Sequence, residues 1–306
     1  MTRYLLNRAL RAAGVVLGVL VGAFILLRLS GDPVTLFVAE GASAEQIASF
    51  RHQLGLDRPV HVQLGYFIRR ALVGDFGRSL RLNAPALEVV VERLPRTFAL
   101  AAVASLLSAV IGIPLGVLSA LYRGRLPERA AGGAAAVGLS IPTFWLGMML
   151  VIIFAVQLRL LPTSGLGGWR HLILPALTLS AYPVAAIMRL VRSGMLEVLG
   201  LEFVRTARAK GLPERTVVFR HTLRNAAISV VTLLGLQFST LMGGAIITET
   251  VFAWPGVGLL LVQSIFGRDY AVVQTALVLL AFFVVLENTA LDLLYAWLDP
   301  RIRVTA

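Results

Sequence analysis

At 306 residues, 58% hydrophobic, 14% charged and a mean hydropathy of +0.82, the chain is too apolar for a soluble globular domain, in which about a quarter of residues carry charge. It reads as an all-α, polytopic membrane protein. The net charge of +12 would suit nucleic acid, but the basic residues stand at the ends of apolar spans and not on an aromatic-interleaved face. Membrane orientation accounts for the charge, lipid is the expected surroundings and no nucleic-acid partner is expected.

Ala12 to Leu27 is uncharged and apolar, with Arg3, Arg8 and Arg11 before it and Arg28 after it, and reads as a first span. Ser30-Gly31-Asp32-Pro33 ends it, and Ala42-Ser43-Ala44 lies too far on to serve as a cleavage site, so the span is expected to stay uncleaved. Gly14, Gly18 and Gly22 make a smooth stripe suited to close packing in lipid, although glycine is also simply common in membrane helices. Residues 31–96 form one long polar excursion. Within it Ser43 and Gln46 have the spacing of a capping box for a helix ending near Gly55. Pro59 opens an amphipathic helix with Val60, Leu64, Phe67, Ile68 and Leu72 on one face, suited to packing on the spans, to the membrane surface or to a peptide. Pro85 to Leu94 reads as a short helix leading into the membrane.

Thr97 to Tyr122 is the second span, with a bend expected at Pro114 between Gly112 and Gly116. Arg123, Arg125 and Arg129 form a tight basic loop. Ala130 to Leu158 is the third span, containing Ser140-Ile141-Pro142-Thr143-Phe144-Trp145, and Leu172 to Met188 is the fourth. Asn225 to Thr248 and Tyr270 to Tyr295 complete six. Glu249 to Gly258 reads as a tight or re-entrant outer loop with Trp254 at the interface.

Glu197 to Asn225 is the densely charged stretch between two apolar spans. Leu201 to Lys210 lacks Gly and Pro and predicts a helix ending near Lys210. Gly211 suits the left-handed residue past its end, Leu212 precedes a proline, and Pro213 is pre-set to start a second helix running toward Leu223. Sixteen arginines and lysines fall before the first span, in 122–130, in 189–224 and after 300, against Arg159, Arg170 and Arg268 in the short opposite loops. By the positive-inside rule both termini and this helix–turn–helix are expected in the cytoplasm. The organisation is thus an N-terminal end with the first span (1–30), an external segment (31–96), a five-helix core (97–299) holding the cytoplasmic stretch 193–225, and a tail (300–306).

No phosphate-binding glycine loop, His-Glu-x-x-His or Gly-x-Ser-x-Gly occurs, so no nucleotide site and no enzymatic activity of its own are expected. His52, His61, His171 and His221 share no helix face at ligand spacing, so no metal site is expected. The absence of cysteine excludes disulfides, thiolate metal sites and a cysteine nucleophile. Glu287, Asn288 and Asp292 lie within the sixth span, where ionisable groups are functional candidates by default. An arginine from elsewhere or interfacial water would make them an anchor; an ion-coupled secondary transporter would use Glu287 and Asp292 for coupling, but no inverted repeat of broken helices accompanies them.

The stretch from Glu197 to Asn225 resembles the cytoplasmic EAA loop of ABC importer permeases of the peptide/nickel branch, with Gly211 setting the register. Arg205-Thr206-Ala207 stands where Glu-Ala-Ala is usual, and Arg224 where the tail proline would be. Leu29 to Val34, Leu54 to Pro59, Gly74-Asp75-Phe76-Gly77-Arg78-Ser79, Ser140 to Trp145, Glu249 to Gly258 and Leu298-Asp299-Pro300-Arg301 are similar to that branch in its order. The resemblance implies a type I importer permease fold in the inner membrane. It also implies a second homologous permease subunit, two cytoplasmic ATPases that hold the ATP and magnesium, and an external binding protein that delivers di- or oligopeptides, nickel, glutathione or another small solute. Glu202, Arg205, Thr206, Ala207, Arg208, Ala209, Lys210, Gly211 and Leu212 would then meet the ATPase, with Ala207 and Ala209 keeping the surface low. No cofactor would be bound by this chain.

Overall fold

The computed structural model describes residues 2–29, 43–53 and 55–298, without the side chains of 2–7, 9, 50, 53, 227–229, 231 and 292–298. The Ser30–Val34 part of the first motif, the 300–306 tail and the Asp299-Pro300-Arg301 motif therefore lie outside the described residues. Thirteen helices are named here: α1 (Thr2–Leu29), α2 (Ala44–Gln53), α3 (Val60–Ala71), α4 (Ala86–Val91), α5 (Leu94–Leu121), α6 (Leu126–Ser140), α7 (Thr143–Leu150), α8 (Trp169–Leu199), α9 (Glu202–Ala209), α10 (Glu214–Thr216), α11 (Arg224–Val251), α12 (Val257–Phe266) and α13 (Tyr270–Leu298). Among the described residues the sole β pairing is an isolated bridge between Arg78 and Pro85. The described residues divide into two compact units, one of 2–29, 43–53, 55–96 and 255–289, the other of 97–254 and 290–298.

In the first unit the capping box forms as its spacing predicts. Ser43 N donates to Gln46 Oε1 at 3.0 Å and Gln46 N donates to Ser43 Oγ at 3.3 Å, which satisfies two amide donors at the start of α2. Pro59 precedes α3, whose apolar face meets α1 where Phe67 stacks on Phe24 at 6.0 Å between ring centroids. Packing on a span is thus the use of that face. The Gly74–Ser79 segment is a built turn. Asp75 pairs with Arg70 at 2.7 Å and accepts the Gly77 amide at 3.0 Å, which holds its carboxyl below the ordinary range. Ser79 Oγ donates to the buried Asp269 Oδ2 at 2.5 Å and accepts the Leu82 amide at 2.8 Å.

In the second unit α5 continues through Pro114, and Gly112 and Gly116 serve close approach to α8. A Cβ on Gly116 would stand 2.6 Å from Val191 Cβ and 2.7 Å from the Met188 carbonyl. The expected third span is not one helix: α6 and the run Thr143–Gln157 meet at a bend of 107°. Pro142 supplies no N–H and drives Ile141 into extended backbone, at φ −78 and ψ 125, so the chain breaks there and restarts with Pro142 as cap. Val151–Gln157 then continues α7 as a π-helical stretch. The fourth span extends well past its expected Leu172–Met188 limits, to 31 residues. Trp254, expected at the interface, is buried, and its amide donates to the Glu249 carbonyl at 2.8 Å. The Glu249 side chain is itself buried and accepts from Thr97 Oγ1 at 2.6 Å. Beyond this loop comes α12, a short apolar helix that the outer-loop reading did not include.

Among the described residues four helices are long and apolar enough to cross a membrane, and five with the bent pair counted as one span. With α11, 28 residues long and only partly described in its side chains, six spans are accommodated. Gly14, Gly18 and Gly22 have no neighbour within 4 Å of an added Cβ, so their stripe packs on nothing described in this chain.

Candidate functional site

The charged stretch folds as its residues dictate. Leu201, extended at φ −76 and ψ 149, turns the chain out of α8, and α9 runs from Glu202 to Ala209 with Lys210 as its C-cap. Gly211 has φ +75, a conformation that costs a residue with a Cβ. The Gly211 amide donates to the Arg208 carbonyl at 2.9 Å and the Leu212 amide to the Ala207 carbonyl at 3.3 Å. These two bonds are the Schellman pair, and they satisfy helix-end carbonyls that would otherwise be orphaned.

One face of α9 is anchored. Val204 and Ala207, three residues apart, are buried together with Val217, and Val198 and Leu199 pack against them. Ala207 was expected to lower an outward surface; instead it faces the protein, because the i, i+3 stripe it forms with Val204 is the apolar side of the helix. Ala209 alone of the two alanines lies outward.

The opposite face is exposed and largely self-paired. Arg205 Nη1 donates to Glu202 Oε1 at 3.0 Å, and Thr206 Oγ1 to the Glu202 carbonyl at 3.0 Å. Arg208 grips Glu214 across the turn with Nη2 at 2.6 Å from Oε1 and Nε at 3.2 Å from Oε2. That fork holds the Glu214 carboxyl below the ordinary carboxylate range and raises Arg208 in return. Lys210 is exposed and makes no salt bridge among the described residues. Phe203 and Leu212 expose apolar surface beside it, at 42% and 37%.

The second half of the stretch is not a separate helix ending at Leu223. Pro213 caps α10, Val217–Leu223 winds as a π-helical stretch in which Thr222 Oγ1 reaches the Val217 carbonyl at 3.0 Å, and α11 follows without interruption. The turn therefore stands on the end of a membrane helix. Sequence reasoning missed Phe203 and Glu214. The first was signalled by an aromatic residue set beside the Val204/Ala207 stripe, the second by opposite charges flanking the Gly-Leu-Pro turn.

Glu287 and Asn288 belong to the other unit. There Arg8 of α1 meets α13: its Nη2 donates to the Asn288 backbone carbonyl at 2.8 Å and its Nε to Thr289 Oγ1 at 3.3 Å. Asn288 Nδ2 donates to the Val284 carbonyl one turn back in the same helix at 2.9 Å. Asp292 sits one turn further along α13, and its side chain lies outside the described residues.

Residues 112–304 match the family described as binding-protein-dependent transport system inner membrane component, and residues 1–101 match the N-terminal region of such membrane components. The glutathione transport system permease protein GsiC of Salmonella typhimurium (strain LT2) is 43% identical over 304 residues, covering 99% of each chain. GsiC of Escherichia coli (strain K12) is 42% identical over 288 residues, covering 94% of each. Among solved structures, an inward-facing form of the MetNI methionine ABC transporter aligns with TM-score 0.60 and 25% identity, covering 69% of this chain and 96% of that one. An amino acid ABC transporter crystallised with histidines shares the fold at TM-score 0.54 and 13% identity, over 68% of this chain and 92% of that one.

Proposed function

The chain belongs to the family of binding-protein-dependent transport system inner membrane components, the permeases of ABC importers, and from that premise we propose that it forms half of the path for a small peptide. In this reading a second homologous permease subunit completes the path and an external binding protein delivers the substrate. Two ATPase subunits hold the ATP and magnesium, and this chain holds neither. Family membership replaces the ion-coupled reading of Glu287 and Asp292.

The observation that carries the proposal is mechanical. α9 is rooted on Val204, Ala207 and Val217, closed by the Schellman turn at Gly211, clamped by Arg208 and Glu214, and joined through α10 to α11 without a break. A docked ATPase that displaces Lys210, Phe203 and Leu212 would move a stiff body attached to a membrane helix, where a loose loop would absorb the displacement. The relatives' name favours glutathione, a tripeptide with one γ-linked bond, over other peptides.

The test is ATP-driven uptake in proteoliposomes holding the partner subunits, with binding protein added outside. Gly211→Asp places a Cβ and a negative charge at φ +75 and is expected to lower uptake about tenfold or more while leaving membrane insertion intact. Normal uptake with normal co-purification of the ATPase would overturn the coupling role. Uptake of simple dipeptides without glutathione would reassign the substrate.

A further inference from the structure

In the second unit a cavity of about 590 Å³ opens where α5, α6 and α8 meet. Arg129, Arg189 and Arg192 line it with Glu128, Ser119 and Gly132, so its charge is positive by two. The acid is spent. Glu128 Oε1 accepts Arg192 Nε at 3.0 Å and also Nη2, and its other oxygen accepts the Gly124 amide. The guanidinium groups of Arg129 and Arg189 have no ion pair or hydrogen bond among the described residues. Ser119 is fully buried, lines the cavity, and its hydroxyl has no partner among the described residues. A buried hydroxyl and two guanidinium groups without partners among the described residues line one cavity and supply donors without acceptors.

We propose that this cavity binds a phosphate group, presented by an anionic phospholipid headgroup. Guanidinium forks match phosphate oxygens in pairs, and the buried Ser119 hydroxyl supplies a further donor to the cavity that Met188 also lines. Arg129 directly precedes one apolar run and Arg189 directly follows another, which sets the mouth at headgroup depth, where basic pockets between spans collect anionic lipid. Assignment to the cytoplasmic leaflet rests on the positive-inside topology; binding of the phosphate does not. Gly132 faces open space, with nothing within 4 Å of an added Cβ, so the cavity can be filled from that side without a clash.

The chain, assembled with its partner subunits in nanodiscs of phosphatidylcholine mixed with phosphatidylglycerol, is analysed by native mass spectrometry for retained lipid. In parallel, inorganic phosphate is titrated in detergent with thermal unfolding as readout. The wild type is expected to retain phosphatidylglycerol over phosphatidylcholine. Arg129→Gln/Arg189→Gln and, separately, Gly132→Leu are expected to weaken retention about tenfold or more. Arg123→Gln/Arg125→Gln, which removes equal charge outside the cavity, is expected to keep it. Equal loss in that control pair would show general surface charge and overturn the site. Protection by inorganic phosphate without lipid preference would overturn the headgroup source, and no preference with no protection would overturn the proposal entirely. None of these readouts depends on transport, so they stand apart from any failure of the importer assignment.

Discussion

Arg208 and Glu214, six residues apart in the chain, face each other across the turn, and their fork adds to the Schellman bonds that close it. The Glu214 carboxyl is held below its ordinary 4.5 by the Arg208 hydrogen bonds, so its contribution is complete above about pH 4.5 and is lost as pH falls through the lowered folded value. Both side chains are about half exposed, so the pair contributes no more than a few tenths of a kcal/mol. Glu214→Gln is expected to speed hydrogen exchange at the Leu212 amide at neutral pH and to match the wild type once the pH has fallen below the lowered folded value of Glu214. A difference that persisted there would mean that the carboxylate charge is not what closes the turn. Gly211 was legible in the sequence because only a left-handed residue stops a helix and restarts it at Pro213. The inward role of Ala207 was not, since which side of a short, charged helix is covered depends on where Val217 arrives.

Among the elements, the contact of α5 with α8 is the one that glycine makes possible. Gly112 and Gly116 lie against the Val184 and Met188 carbonyls, so a side chain there meets backbone that cannot turn aside. Gly116→Val is expected to destabilise the permease by about 1–3 kcal/mol, as overpacked sites do, and to lower its thermal unfolding temperature in detergent. Gly133→Ala, on the open side of α6, is expected to leave that temperature unchanged. Equal effects would mean that α5 and α8 do not pack through these glycines. The sequence pattern marked both glycines, but periodicity cannot distinguish a flexible glycine from one that a neighbouring helix needs for close approach. At Pro142 the reverse holds: a proline inside an apolar run is visible, but a 107° break is decided by how α6 and α7 each find partners.

For the molecule as a whole, orientation is the open property, and the absence of cysteine makes it directly measurable. Arg215 and Ser164 are exposed and lie in segments assigned to opposite sides of the membrane. In right-side-out spheroplasts, Ser164→Cys is expected to react with a membrane-impermeant maleimide and Arg215→Cys to react only after permeabilisation. The opposite pattern would invert the topology and place the α9 turn outside, away from any cytoplasmic ATPase. Length, hydropathy and the arginine distribution already specified a helical membrane protein with several spans, because desolvating backbone in lipid leaves helix as the economical solution for apolar runs of this length. Ordered local motifs specified the capping box at Ser43, the Schellman turn at Gly211 and the resemblance to importer permeases, since each depends on residues close in the chain. Only the tertiary structure decided that Thr97 meets Glu249, that Ser79 meets Asp269, that Trp254 is buried, and that Ser119, Arg129 and Arg189 share a cavity. Those pairings join residues far apart in sequence, and the choice among the many polar partners available is made by the packing of helices against one another, which no local pattern records.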